Sequence, residues 1–336
     1  MKIGVIGGGS WGTALAKLLA ENDNEVSLWV HEPTLAKTMR EEFINPTYLP
    51  GFDLPKNLLA TNDIEEAVSG KEMILSVPPS HVLREVLNLA RPYLPEGVPI
   101  VSATKGIENE TLMLVSGIFE DVLPPRYHPF LCYLSGPSFA REVAAHKPTA
   151  VTIASYNHAL AVKMQRVFSN DFFRAYTSND VIGVEVGGAL KNVIAIASGA
   201  VSGMDLGLNA SAGMITRGLH EITRVAVHLG ANPLTLTGLA GMGDLMLTCT
   251  GGLSRNRTVG FKLGQGMKIE EILDEMQMVA EGVKTSKSVY HLARRLGVEM
   301  PISEQVYSVL YEGKSTRQAV ADLLSRELKP ERSGWM

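Results

Sequence analysis

The sequence predicts an α/β N-terminal domain built on a mainly parallel sheet, followed by an all-α C-terminal domain. Three observations carry the prediction. Short apolar runs alternate with helix-period segments from residue 2 to residue 178. A glycine-rich turn joins the first of those runs to the first helix. Strand-like alternation then stops, and helical periodicity continues to about residue 328. Alternating strands and helices imply a parallel sheet covered on both faces. The predicted domains are 1–179 and 180–336, with no flexible linker between them.

The elements run in order along the chain. "KIGVIG" (2–7) is a strand and "GTALAKLLAEN" (12–22) a helix; "EVSLWV" (25–30) is a strand, with a helix near 34–44. "NLLAT" (57–61), "EMILSV" (72–77), "PIVSAT" (99–104) and "FLCYLSG" (130–136) are strands separated by helices at 63–69, 80–94 and 110–122. "SFAREVAA" (138–145) and "HALAVKMQRVFS" (158–169) are helices beside the strands "TAVTIAS" (149–155) and "FFRAYTS" (172–178). Helices are then expected at 180–203, 208–230, 233–247, 256–264, 269–276, 284–298, 302–312 and 315–328, the first capped by Asn179 or Asp180.

Composition narrows the function. The 336 residues are 45% hydrophobic and 20% charged, with a net charge of −4. Such a chain has ample material for a core and no basic field to attract nucleic acid. Cys132 and Cys249 cannot form a disulfide framework, so both read as reduced core thiols of a cytoplasmic protein. The apolar start is broken by Gly7, Gly8, Gly9 and Gly12, which argues against a leader peptide. The run 193–204 is too short to span a bilayer and reads as a buried helix.

"VIGGGSWGTALA" carries Gly7-x-Gly9-x-x-Gly12 directly after a strand and at a helix start. The first glycine permits a tight turn, the second lets a pyrophosphate approach the backbone, and the third allows close strand–helix packing. The helix N-terminus faces the anion. This context predicts a Rossmann-type domain binding NAD(H) or NADP(H), with Ser10 and Trp11 at the cofactor. After the second strand, His31 stands where a ribose-binding acid is usual, and Glu32 comes next. A histidine accommodates a 2′-phosphate better than a carboxylate does, so the reading leans to NADP(H). The bland alternative is a surface histidine.

"GVEVGGALKNVIAIASGAVSG" (183–203) holds Lys191 among small and apolar residues. Burying that cation is costly unless something compensates it. Gly187 and Gly188 lie beside it on a helix, so it would project over a side-chain-free hollow; the alternative is a snorkelling lysine. Asn192 can orient a polar group. Asp244 also sits in an apolar run and needs a partner, for which Lys191 is the economical choice. "SRNR" supplies Ser254, Arg255, Asn256 and Arg257 at a helix start, suited to a phosphate dianion or else a solvated basic loop. Lys105 comes just after the fifth strand, where ligands of open parallel sheets bind. "SGPSFA" (135–140) ends the sixth strand and opens a helix, where exposed backbone N–H groups can hold an anion. Glu281 is a ribose or adenine contact, or a helix-start acid. The eight histidines show no metal-ligand spacing, and no metal site is expected.

"GGGSWGTALA", "ATKG", "SGPSFA", "GGALKNVIAIASG", "AGMGDLMLTCT", "SRNR" and "EG" occur in one order. In this the chain resembles the bacterial NAD(P)-dependent glycerol-3-phosphate dehydrogenases over essentially its whole length. The resemblance implies reversible reduction of dihydroxyacetone phosphate to sn-glycerol 3-phosphate, which feeds phospholipid synthesis. It implies Lys191 as the catalytic lysine. Lys105, Gly136, Ser138, Lys191, Asp244, Ser254, Arg255 and Asn256 match substrate positions. Gly7, Gly9, Ser10, Trp11, Gly12, His31, Lys105, Ala140, Arg255, Val279 and Glu281 match cofactor positions. The family's "GPTFA" is here "GPSFA", which keeps the hydroxyl. A β-hydroxyacid dehydrogenase and a non-catalytic nucleotide sensor are the competing readings. The expected partner is a small phosphorylated three-carbon substrate, with no nucleic acid and no membrane span. A homodimer is expected only from the prevalence of two-fold pairs.

Overall fold

The computed structural model describes residues 1–276 and 280–331. Two compact units divide it: 1–105 with 115–181, and 106–114 with 182 onward.

The first unit opens with β1 (Lys2–Ile6), α1 (Ser10–Glu21), β2 (Glu25–Trp29) and α2 (Pro33–Glu42). A small hairpin of β3 (Ile44–Asn45) and β4 (Leu49–Asp53) comes next. After it stand β5 (Leu58–Thr61), α3 (Ile64–Val68), β6 (Met73–Ser76), α4 (Leu83–Ala90), β7 (Ile100–Ser102), α5 (Val115–Val122) and β8 (Leu131–Ser135). The unit ends with α6 (Ala140–Ala144), β9 (Thr149–Ala154), α7 (His158–Phe168) and β10 (Phe173–Ser178).

Eight strands form one sheet in the order β10-β9-β8-β7-β6-β1-β2-β5. Every neighbouring pair is parallel except β8–β9. The doubly wound order reverses beside β1, which lies between β2 and β6. That reversal opens a crevice at the C-terminal strand ends. Met73 through Ser76 are all buried, as expected of a central strand covered on both faces. Ile3, Val5, Leu15, Leu28 and Phe168 belong to one continuous core.

The second unit contains α8 (Val181–Gly203), α9 (Gly207–His228), α10 (Asp244–Thr250), α11 (Arg255–Gly264) and α12 (Ile269–Asp274). It ends with α13 (Glu281–Leu296), α14 (Pro301–Tyr311) and α15 (Thr316–Leu324). α8 is apolar on all sides, and 89% of its most apolar window is buried. Such a helix is the axis of a bundle, and its neighbours supply the amphipathic faces. α8 and α11 meet backbone to backbone. A Cβ on Gly199 would lie 2.1 Å from Arg257 O, and one on Gly260 would lie 1.9 Å from Ile196 O.

Two segments differ from the sequence expectation. The hairpin at 44–53 has no counterpart among the predicted elements. The single helix expected over 233–247 is instead a 3₁₀ turn (Pro233–Thr237), a π turn (Leu239–Gly243) and then α10. Pro233 permits a helix to start but not to continue from before it, and Gly238, Gly241 and Gly243 weaken the next turns.

Candidate active site

The glycine turn lies at the sheet's switch point. Gly7 has φ +117°, and a Cβ there would stand 3.0 Å from the Val77 carbonyl group. A Cβ on Gly12 would lie 1.9 Å from Gly7 O, so the strand and helix meet too closely for any side chain. Gly9 differs: a Cβ there would meet nothing within 4 Å. Gly9 is the N-cap of α1 and offers no side-chain cap to the first-turn N–H groups. Trp11 Nε1 is buried without a hydrogen-bond partner. Open space, uncapped helix N–H groups and an unused buried donor all fit a dinucleotide pyrophosphate.

Around this turn, the Ser10 hydroxyl donates to Tyr48 O. His31 is exposed, its ring centroid 5.9 Å from that of Trp29. Next to it, Glu32 accepts a 2.6 Å hydrogen bond from the Tyr48 phenol. That bond, with burial, pushes the phenol's pKa up. Tyr48 belongs to the hairpin connection and carries no signal in the sequence.

Lys105 and the "SGPSFA" segment come together in the same unit. Lys105 Nζ donates to Gly136 O at 3.1 Å, and Ser138 Oγ donates to the same oxygen at 3.0 Å. Gly136 has φ +143°, and a Cβ there would lie 2.9 Å from Val151 Cα. Ala140 opens α6 and packs with Ala14, Leu49 and Ala144.

In the helical unit, Lys191 is 8% exposed and Asp244 is 0% exposed. Lys191 Nζ is ion-paired to Asp244 Oδ1 and donates to Thr248 Oγ1 at 3.0 Å. Thr248 lies one turn beyond Asp244 on α10 and donates to the Asp244 carbonyl at 2.6 Å. A buried ammonium is tolerable only when paired and hydrogen-bonded, and here both conditions hold. The hollow expected beside Lys191 is not open. A Cβ on Gly187 would lie 2.4 Å from Ala240 O. The π turn fills that space, and the missing side chain lets this turn bring Asp244 to Lys191. Cys249 adjoins Thr248, and burial pushes its thiol up to about 12.

Asn192 and Asn256 also meet. Asn256 Nδ2 donates to Asn192 Oδ1 at 2.9 Å, and its Oδ1 accepts from Gly282 N at 2.9 Å. Thus α8, α11 and the start of α13 are tied together. Ser254 caps α11 by accepting from Arg257 N at 3.2 Å. Arg255 is exposed at the first position of that helix, and Glu281 opens α13. Val279 lies outside the described residues. Among the described residues, no group of three His, Cys, Asp or Glu side chains is placed to hold a metal ion. The arrangement offers a held ammonium that can give a proton to a developing oxyanion.

Comparison with known proteins identifies the family. Residues 2–161 match the family described as the NAD-dependent glycerol-3-phosphate dehydrogenase N-terminus. Residues 180–321 match its C-terminus. A glycerol-3-phosphate dehydrogenase [NAD(P)+] of Citrifermentans bemidjiense is 56% identical over 330 residues, covering 98% of each chain. One from Myxococcus xanthus is 54% identical over 334 residues, covering 99% of this chain and 100% of its own. The crystal structure of glycerol-3-phosphate dehydrogenase from Coxiella burnetii superposes with a TM-score of 0.92 at 39% identity. It covers 97% of this chain and 99% of that one.

Proposed function

Because the chain belongs to the NAD-dependent glycerol-3-phosphate dehydrogenase family, we propose Lys191 as the general acid and base of its reaction. The enzyme reduces dihydroxyacetone phosphate to glycerol 3-phosphate with NADH or NADPH. A bound dihydronicotinamide would supply the hydride for the ketone carbon. Lys191 Nζ stabilises the negative charge that grows on the carbonyl oxygen and donates the proton that completes the alcohol. In the oxidative direction the neutral amine takes that proton back.

Asp244 and Thr248 fix the amine in one position, so its orientation is set before substrate arrives. The substrate phosphate is assigned to Arg255, with Ser254 and Asn256 at the start of α11. Lys105, Gly136 and Ser138 complete the substrate contacts. The pyrophosphate is assigned to the turn from Gly7 to Gly12 with Ser10 and Trp11. His31 is assigned to the adenosine ribose, which favours NADP(H); the neighbouring Glu32 carboxylate is already engaged by Tyr48. Ala140, Arg255, Val279 and Glu281 are the remaining cofactor assignments.

One observation supports the reading above all others: the ammonium of Lys191 is buried on an apolar helix and paired with Asp244. The test is Lys191→Ala. It should lower turnover by about 10²–10⁴ while NADPH binding stays close to the parent value. Near-parent turnover would remove Lys191 from the chemistry. We place the enzyme in the cytoplasm as a supplier of glycerol 3-phosphate to acylation chemistry. α8, the described helix long and apolar enough to cross a membrane, is mostly buried. A homodimer is the proposed assembly, on the prevalence of two-fold pairs.

A further inference from the structure

The hairpin between α2 and β5 reaches the glycine turn through one buried side chain. Asn45 is 0% exposed. Its Nδ2 donates to Gly8 O at 2.9 Å and to Thr13 Oγ1 at 2.9 Å. The Thr13 hydroxyl donates to the same Gly8 oxygen at 3.0 Å. Asn45 Oδ1 accepts from Tyr48 N at 2.9 Å, and Ser10 holds Tyr48 O. The hairpin therefore grips the turn at Gly8 and at Ser10.

The carbonyl of Gly8 and the N–H of Gly9 share one peptide plane. In a trans peptide they point in opposite directions. No peptide bond among the described residues is cis. Two donors draw the Gly8 oxygen toward Asn45 and Thr13, so the Gly9 N–H is turned away from both. Gly8 faces Val30 too closely for any side chain, since a Cβ there would lie 2.7 Å from Val30 Cγ2. Gly9 itself borders open space.

We infer, on the assignment of the pyrophosphate to this turn, that Asn45 and Thr13 are positioning residues for the cofactor. They lock the Gly8–Gly9 peptide so that the Gly9 N–H is presented to the anion before it binds. The anion then meets an oriented donor, and no ordering of the turn is charged against binding. Neither residue touches the cofactor; both act through the Gly8 carbonyl.

The test uses the full-length enzyme, with NADPH and ADP-ribose as calorimetric probes. Thr13→Val keeps the shape and deletes the hydroxyl. It should weaken both probes by about tenfold or more, the worth of one misaligned hydrogen bond to a charged group. Thr13→Ser should restore parent affinity. Asn45→Ala should match or exceed the effect of Thr13→Val, and if it fails to fold, the valine variant alone decides. The KM for dihydroxyacetone phosphate at saturating NADPH should not move in Thr13→Val. A lowered melting temperature with both dissociation constants within about twofold of the parent would mean a purely structural bond and overturn the inference. Gly9→Ala separates the two levels, since its Cβ meets no protein atom. Unchanged affinity in Gly9→Ala rejects the pyrophosphate assignment itself. Weakened affinity in Gly9→Ala with parent affinity in Thr13→Val rejects only the lock.

Discussion

Thr248 Oγ1 stands 3.0 Å from Lys191 Nζ, one helical turn after the carboxylate that holds the same amine. The hydroxyl also bonds back to the Asp244 carbonyl, so its lone pairs are aimed at the ammonium. Replacing it with valine keeps the volume and removes the aim.

Thr248→Val should lower turnover about tenfold to a hundredfold, from the loss of one hydrogen bond to a charged group. The KM for dihydroxyacetone phosphate should change little. Steady-state kinetics at saturating cofactor decide the matter; a change confined to KM would mean that Thr248 touches substrate and does not orient Lys191.

Gly187→Ala probes the same pair from α8. The new methyl would sit 2.4 Å from Ala240 O, so the π turn must retreat. We expect a loss of about 1–3 kcal/mol in stability, typical of overpacking, together with reduced turnover. Denaturant unfolding and kinetics on one preparation test both. Parent-like values in both would show that the turn can move without disturbing Asp244.

His31→Asp addresses the cofactor. A carboxylate there would accept from a ribose 2′-hydroxyl and repel a 2′-phosphate. The KM for NADPH should rise at least about tenfold while that for NADH rises little or falls, an effect the size of one charged contact. Equal changes for the two cofactors would remove His31 from the ribose site.

Glu221 supplies a pH signature. It is buried on α9 and caps α14, accepting from Ile302 N at 2.7 Å, Ser303 N at 3.2 Å and Ser303 Oγ at 3.1 Å. Burial pushes its carboxyl from 4.5 up to about 7, against the pull of these bonds and of Arg224. The folded state therefore holds the proton more tightly than the unfolded chain does. Its contribution, about 3 kcal/mol, is complete below pH 4.5 and is lost as pH rises through 7. The parent melting temperature minus that of Glu221→Gln, taken with its sign, should fall between pH 5.5 and pH 8. A signed value that rises over this range would contradict this account.

The features legible in the sequence are local or forced by charge. The glycine turn is legible because Gly7-x-Gly9-x-x-Gly12 falls between a strand and a helix start, although only the Gly12 demand, set by Gly7 O, is local. Lys191 and Asp244 can be paired because each is a lone charge in an apolar run, and buried charges need partners. Thr248 is not legible, since a threonine on a helix is ordinary until the ammonium beside it is known. The hairpin holding Asn45 and Tyr48 is hidden too. "NPTYLPGFDL" has two prolines and no alternation, so no periodic signal marks its strands. The surface of α8 beside Lys191 does lack side chains, as the glycine pair requires. Which backbone fills that space depends on residues fifty positions away, which no local pattern encodes.

Cys132 and Cys249 are the two thiols of this enzyme, and burial pushes both up to about 12. At cellular pH neither presents the thiolate on which peroxides and electrophiles act. Both thiols are therefore poor nucleophiles, even though one of them lies in the residue next to Thr248.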